Sequence, residues 1–277
     1  MSEQQGEMSF WDHLEELRWT LFRCVIALVV FTVGGFVFLY YCWDSVVFAP
    51  LFPDFILYRL LCKITMSVPF VPDFCDLKEI KIFNVDLTSP FFTHMSTSFW
   101  LALLMTFPYL VYEIWKFIRP ALYPHEKKSV RWVFSFGTVM FFIGCAIGYF
   151  LVFPLSLQFL ATYRISAVLD EQTSLESYLN SFLLLVFVMG AMFELPLLSW
   201  FLSKVGLLKR SFFKKYRRYA VVGLLIAAAL ITPSGDPFTL SVVFFPLYGL
   251  YELSAFLVKK EPKEKDESSD IVKHGTG

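Results

Sequence analysis

Carboxylates stand at three places in this chain where they could meet a cation. His13-Leu14-Glu15-Glu16-Leu17-Arg18 precedes the first apolar run, Pro124-His125-Glu126 lies between the second and third, and Phe193-Glu194-Leu195-Pro196 lies inside the fourth. Asp12 and Glu16 are four residues apart, so on a helix they share a face and repel by a few tenths of a kcal/mol. Such a face can receive a cationic ligand; equally, Arg18 and Arg23 of the same helix can neutralise it, or water can. Pro120 and Pro124 stop a continuous helix and leave Glu126 near the start of the third run. There the helix dipole favours a carboxylate, as ligand or as cap. An ionised Glu194 at mid-bilayer would cost about 2.5–3.5 kcal/mol, and such groups mostly face protein or a water-filled cavity; near the inner interface the cost is small. Pro196 frees a carbonyl one turn back and can bend the helix there.

These residues must be positioned by membrane helices. The chain is 57% hydrophobic and 19% aromatic, with mean hydropathy +0.59, more apolar than a soluble domain at about 45–50%. Six runs approach the roughly 20 residues that a spanning helix needs: 19–41, 90–115, 132–154, 178–201, 216–231 and 238–258. The fifth has an uncharged core of only Tyr219–Ile231, so it must be short, tilted or set in a thinned bilayer. Backbone groups find no partners in lipid and the runs lack a barrel's alternation, so helices are the expected spanning form. Pro108, Pro154 and Pro246 imply bent helices and a curved shape.

With six spans both termini share one side. Only Arg59, Lys63, Lys78, Lys81 and Arg164 then fall opposite, leaving 19 of the 24 basic residues with the termini; the positive-inside rule makes that side cytoplasmic. The 24 acidic residues balance the 24 basic ones, so net charge singles out no partner, and no nucleic acid is expected. The acidic leading segment and the lack of a small-residue cleavage site argue against a cleavable signal. Cys62 and Cys75 share the long outer loop, which permits a disulfide in an oxidising compartment.

Ser9 with Asp12 reads as a capping box, and Phe10, Leu14, Leu17 and Leu21 form one apolar stripe leading along the interface into the first span. The outer loop, 43–89, is broken by Pro50, Pro53, Pro69 and Pro72 and is expected to fold as a cap on the membrane. A tight turn at 232–237 contains Asp236, read as a turn residue. The charged tail, 259–277, is expected to be disordered. The halves differ in loop length, against a two-fold transporter design. There is no GxxxxGK[ST], HExxH or GxSxG motif, no CxxC pair, and His13, His94, His125 and His274 are scattered. No enzyme activity, metal or cofactor is expected.

From Phe10 to Glu252 the chain resembles the TatC family, the polytopic core subunit of the twin-arginine protein translocase. The resemblance rests on HLEELR at 13–18, Ala49-Pro-Leu51, Ser89-Pro-Phe-Phe-Thr93, Trp115-Lys-Phe-Ile-Arg-Pro-Ala-Leu-Tyr-Pro-His-Glu126, Val152-Phe-Pro-Leu155, Phe193-Glu-Leu-Pro196, Ile231-Thr-Pro233, Pro246 and Tyr251-Glu252. It implies an all-α integral membrane protein of six helices in a cupped, glove-like arrangement, both termini cytoplasmic, in the cell inner membrane. It further implies that Glu16, with Glu15 beside it, and Glu126 bind the paired arginines of a signal peptide, and that Phe117, Pro120 and Leu122 take part in recognition. Pro50, Glu194 and Asp236 become positions of transport or structure, with Glu194 facing a concave cavity. Implied partners are the signal peptides of folded cargo, TatA- and TatB-type single-span subunits, other copies of the chain and the lipid itself, with the proton-motive force as energy source. Two departures stand out: the loop between Pro50 and Ser89 is about twenty residues longer than is common in the family, and Leu240 stands where a Gln is frequent. The rival class, a proton- or cation-coupled small-solute transporter using Glu194, would need a polar pathway and repeat symmetry.

Overall fold

The structure is a computed structural model that describes residues 10–65, 80, 82–84, 86–118, 127–163, 173–204, 206–232 and 235–258. It is mostly helical. The first helix, α1, runs unbroken over Phe10–Cys42, so the amphipathic stretch merges directly into the first span. At 33 residues it is about 50 Å long. Leu14, Leu17 and Leu21 along its stripe are all exposed. A π-helical turn, Trp43–Val47, and a 3₁₀ turn, Ala49–Leu51, lead to the short amphipathic α2, Ile56–Thr65.

Next come α3, Ser89–Ile118, and α4, Lys127–Ile147. The latter continues through a π-helical turn, Gly148–Val152, into α5, Phe153–Thr162. Pro154 sits at the start of α5, where a missing N–H costs least. The fourth predicted run divides into α6, Leu175–Met192, and α7, Leu195–Lys204. The break at Phe193–Glu194 is the one Pro196 dictates. The short α8, Arg210–Lys215, precedes α9, Arg217–Ile231, and α10, Pro237–Leu257. Among the described residues a pair of strands lies outside the all-helical expectation: β1, Ile82–Phe83, pairs in parallel with β2, Thr173–Ser174, joining the segment before α3 to the segment before α6.

Among the described residues five helical stretches are long and apolar enough to cross a membrane: Leu14–Lys63, Ser89–Ile114, Ser135–Thr162, Leu175–Lys204 and Pro237–Leu257. The run expected at 216–231 forms α9, whose 15 residues extend about 22 Å against roughly 30 Å of hydrocarbon.

Lipid tails are as apolar as leucine, so these helices are held by close packing rather than by escape from water. α1 lies along α3, α4 along α6, and α10 against α7, α9 and α5. Between α4 and α6 the approach is close enough to require glycine. A Cβ on Gly144 would stand 2.7 Å from the Met189 carbonyl oxygen and 2.8 Å from the Phe193 Cβ, and one on Gly148 would be 3.0 Å from the Val186 Cα. Phe107 and Phe141 stack at 3.8 Å beside this seam. The core continues through Val152, Phe153, Tyr178, Leu179 and Met189 to Val243 and Leu247 of α10.

Candidate functional site

The order of contacts makes α1 and α3 antiparallel. Phe36 stacks on His94, Gly35 abuts the Ser98 carbonyl, and Arg23 reaches Glu113. The beginning of α1 therefore lies level with the end of α3. Glu16, Thr20 and Arg23 recur at i, i+4 and i+7, one face of α1. Thr20 is buried and accepts a hydrogen bond from Arg23 Nη2 at 3.2 Å, so this face is turned toward α3. Glu16 is half-buried and Glu15 exposed. Among the described residues neither has an ion-pair partner. Arg18 lies over the Phe22 ring, 5.7 Å from its centroid, and Arg23 is engaged with Glu113. Neither arginine of α1 thus neutralises Glu16.

Glu113 was not legible as a site residue from motif spacing, yet it is 3% exposed. Arg23 Nη2 stands 3.2 Å from its Oε2, and the Tyr109 hydroxyl donates to its Oε1 at 3.1 Å. The signal that could have found it is a carboxylate near the inner end of an apolar run, which needs a partner. Removing Arg23 would leave that carboxylate buried and uncompensated, a cost of about 3–5 kcal/mol. Phe117 lies in the last turn of α3, four residues beyond Glu113. Pro120, Leu122 and Glu126 lie outside the described residues, as do Ser9 and Cys75.

Glu194 sits at the break between α6 and α7, 7% exposed. Its carboxylate packs on Gly137 of α4, where an added Cβ would lie 3.1 Å from Oε2. Among the described residues its Oε1 is buried without a hydrogen-bond partner, as are the Thr106 and Thr138 hydroxyls. At the other end of α1 Pro50 is buried, and its carbonyl accepts from the Tyr58 hydroxyl at 3.0 Å, which also lies 3.3 Å from the Pro154 carbonyl. Tyr178 donates to the Val47 carbonyl at 2.6 Å and Tyr149 to that of Val46 at 2.8 Å. Three phenols thereby tie the turn after α1 to α2, α6 and the segment joining α4 to α5. Asp236 caps α10, accepting from the Thr239 N–H at 2.7 Å. Between α9 and α10, Arg217 holds Glu252 at 2.7 Å and the Tyr248 hydroxyl at 2.9 Å. Cys62 is disulfide-bonded, whereas Cys24, Cys42 and Cys145 are free. Among the described residues no group of three or more His, Cys, Asp or Glu is placed to hold a metal ion.

The sequence profile of the Sec-independent protein translocase protein (TatC) matches residues 12–246. The Sec-independent protein translocase protein TatC of Blattabacterium sp. is 34% identical over 272 residues, spanning 96% of this chain and all of that protein. Its counterpart in Escherichia coli K12 is 32% identical over 244 residues, 88% of this chain and 85% of the relative. Two crystal structures of the twin-arginine translocase receptor TatC are similar in fold. One superposes with a TM-score of 0.67 at 29% identity, covering 88% of this chain and 97% of its own, and the other, in DDM, with 0.70 at 28%, covering 89% and 99%. This match does not favour the small-solute transporter. The unbroken correspondence of sequence and helical architecture makes the chain a multi-pass membrane protein of the TatC family, a subunit of the twin-arginine protein translocase.

Proposed function

We propose that the chain is the receptor of the translocase, taking the Arg-Arg pair of a signal peptide between Glu16 and Glu126 at the cytoplasmic face. The observation that carries this is the state of Glu16. It is half-buried on the α1 face turned toward α3, without an ion-pair partner among the described residues, while the nearby Arg23 is engaged elsewhere. A carboxylate kept in that setting suits a planar guanidinium, which binds it bidentately and stays charged; lysine is the poorer ligand.

Charged hydrogen bonds in partly dry sites contribute about 1.5–3 kcal/mol each, short of the roughly 8 kcal/mol that micromolar affinity needs. The signal's apolar segment therefore supplies most of the affinity, packed along the cavity near Glu194, with Glu15, Phe117, Pro120 and Leu122 shaping the entrance. Pro50 and Asp236 hold the outer turns. Six spans cross the cell inner membrane, α9 being the short one, with both termini and the tail, 259–277, in the cytoplasm. Residues 1–258 form the six-helix membrane domain and 43–89 its outer cap. Single-span TatA- and TatB-type subunits and further copies of the chain complete the translocase. It performs no catalysis of its own: a membrane potential supplies about 2.3 kcal/mol per charge per 100 mV.

The test is photo-crosslinking of a signal peptide, labelled beside its Arg-Arg pair, to Glu16→Ala and Glu126→Ala chains in membranes. Each change is expected to lower capture at least tenfold. Capture by both at the parental level would sink the receptor reading.

A further inference from the structure

The pair Arg23–Glu113 lies deeper along α1 and α3 than Glu16. Arg23 is two helical turns beyond Glu16 on the same face of α1, about 10 Å along the axis. Glu113 is one turn before Phe117 on α3. The pair is asymmetric: the Glu113 side chain is 4% exposed and that of Arg23 40%. Tyr109 donates to Glu113 Oε1, the Arg23 guanidinium stands 3.2 Å from Oε2 as an ion pair, and Arg23 is braced by Thr20. Every strut joins neighbouring turns of α1 or α3, or links the two helices. Beside the stacking of Phe36 on His94, α1 meets α3 at small residues such as Gly35 and Ser98, and such a seam can slide. An ion pair whose carboxylate is buried favours one register, because sliding α1 by a helical turn would leave Glu113 without its cation.

We propose that Arg23 and Glu113 are positioning residues that set the axial register of α1 against α3, and with it the level of Glu16 against the last turn of α3. This inference rests on the receptor reading above. The Arg23 guanidinium has a second consequence: it neutralises Glu113, so that carboxylate does not compete with Glu16 for the arginines of the signal.

The test uses the full chain in membranes, with crosslinkable signal peptides carrying either Arg-Arg or Lys-Lys. The variants are Glu113→Gln, which keeps volume and hydrogen-bonding capacity, Arg23→Gln, and the exchange Arg23→Glu with Glu113→Arg. Each is compared at equal amounts of membrane-inserted chain. The single changes are expected to lower Arg-Arg capture about tenfold. They should also shrink the preference for Arg-Arg over Lys-Lys about fivefold, because a misplaced Glu16 loses the bidentate geometry that distinguishes the two. The exchange is expected to recover both to within about threefold of the parent. A purely structural role would lower both peptides alike, so an unchanged preference in the single variants overturns the proposal. So does parental capture by those variants, or an exchange that inserts normally and recovers neither quantity. Glu16→Ala in the parent serves as the separate control: if it captures the Arg-Arg peptide undiminished, the receptor reading itself fails.

Discussion

At the scale of single residues, the polar groups divide by whether the fold provides them a partner. The Tyr58 hydroxyl has one proton and two carbonyls within reach, those of Pro50 and Pro154. Tyr178 serves the Val47 carbonyl at 2.6 Å from a site that is 1% exposed. Tyr58→Phe and Tyr178→Phe each strand a buried carbonyl and are expected to cost about 1–3 kcal/mol, measured as thermal unfolding in detergent. Tyr149→Phe, whose bond is exposed, should cost less; an equal loss in all three would contradict this account. Glu194 is the opposite case. Its Oε1 is buried with no hydrogen bond among the described residues, so burying its charge opposes folding. Glu194→Gln keeps the volume and is expected to raise thermal stability by about 1 kcal/mol while lowering export of a twin-arginine reporter. A destabilised variant would show that the charge has a partner after all.

At the scale of elements, the seam between α4 and α6 depends on what side chains leave out. At Gly144 the obstacles to a methyl group are the Met189 carbonyl and the Phe193 Cβ, which cannot swing away. At Gly137 they are the ends of the Leu197 and Glu194 side chains, which can. Gly144→Ala is therefore expected to cost about 1–3 kcal/mol and to exceed Gly137→Ala in the same detergent melt. The reverse ranking would mean the helices can part more easily than the side chains can turn. The Gly144-Cys-Ala-Ile-Gly148 spacing marks such close approach between membrane helices, so this contact had a signature in the chain.

At the scale of the whole molecule, orientation is the property on which the receptor reading depends. Leu207, between α7 and α8, is 73% exposed, and Leu87, before α3, is 98% exposed. In a background lacking Cys24, Cys42 and Cys145, Leu207→Cys is expected to react with a membrane-impermeant thiol reagent only from the cytoplasm, and Leu87→Cys only from outside. The opposite pattern would put Glu16 on the wrong surface. Cys62, in α2, is disulfide-bonded. Cys62→Ser is expected to lower stability by about 2–4 kcal/mol, with no further loss when reductant is added, read by thermal unfolding.

Composition and spacing alone determined that the chain is built of membrane helices, and they placed in Pro196 a residue that can bend the fourth run. Those features follow from the bilayer's thickness and from a proline's missing N–H, which are local. HLEELR at 13–18 and the Arg-Pro-Ala-Leu-Tyr-Pro-His-Glu stretch ending at Glu126 likewise carried the family resemblance unaided. Only the tertiary structure decided that Arg23 spends its charge on Glu113 rather than on Glu16, since the partners are 90 residues apart in sequence and meet because α1 and α3 are antiparallel. It also decided that three phenols hold the turn after α1, and that two short strands join the segment before α3 to the segment before α6. Hydrogen bonds and ion pairs between distant segments depend on how helices are set against one another, and no periodicity within one segment encodes that.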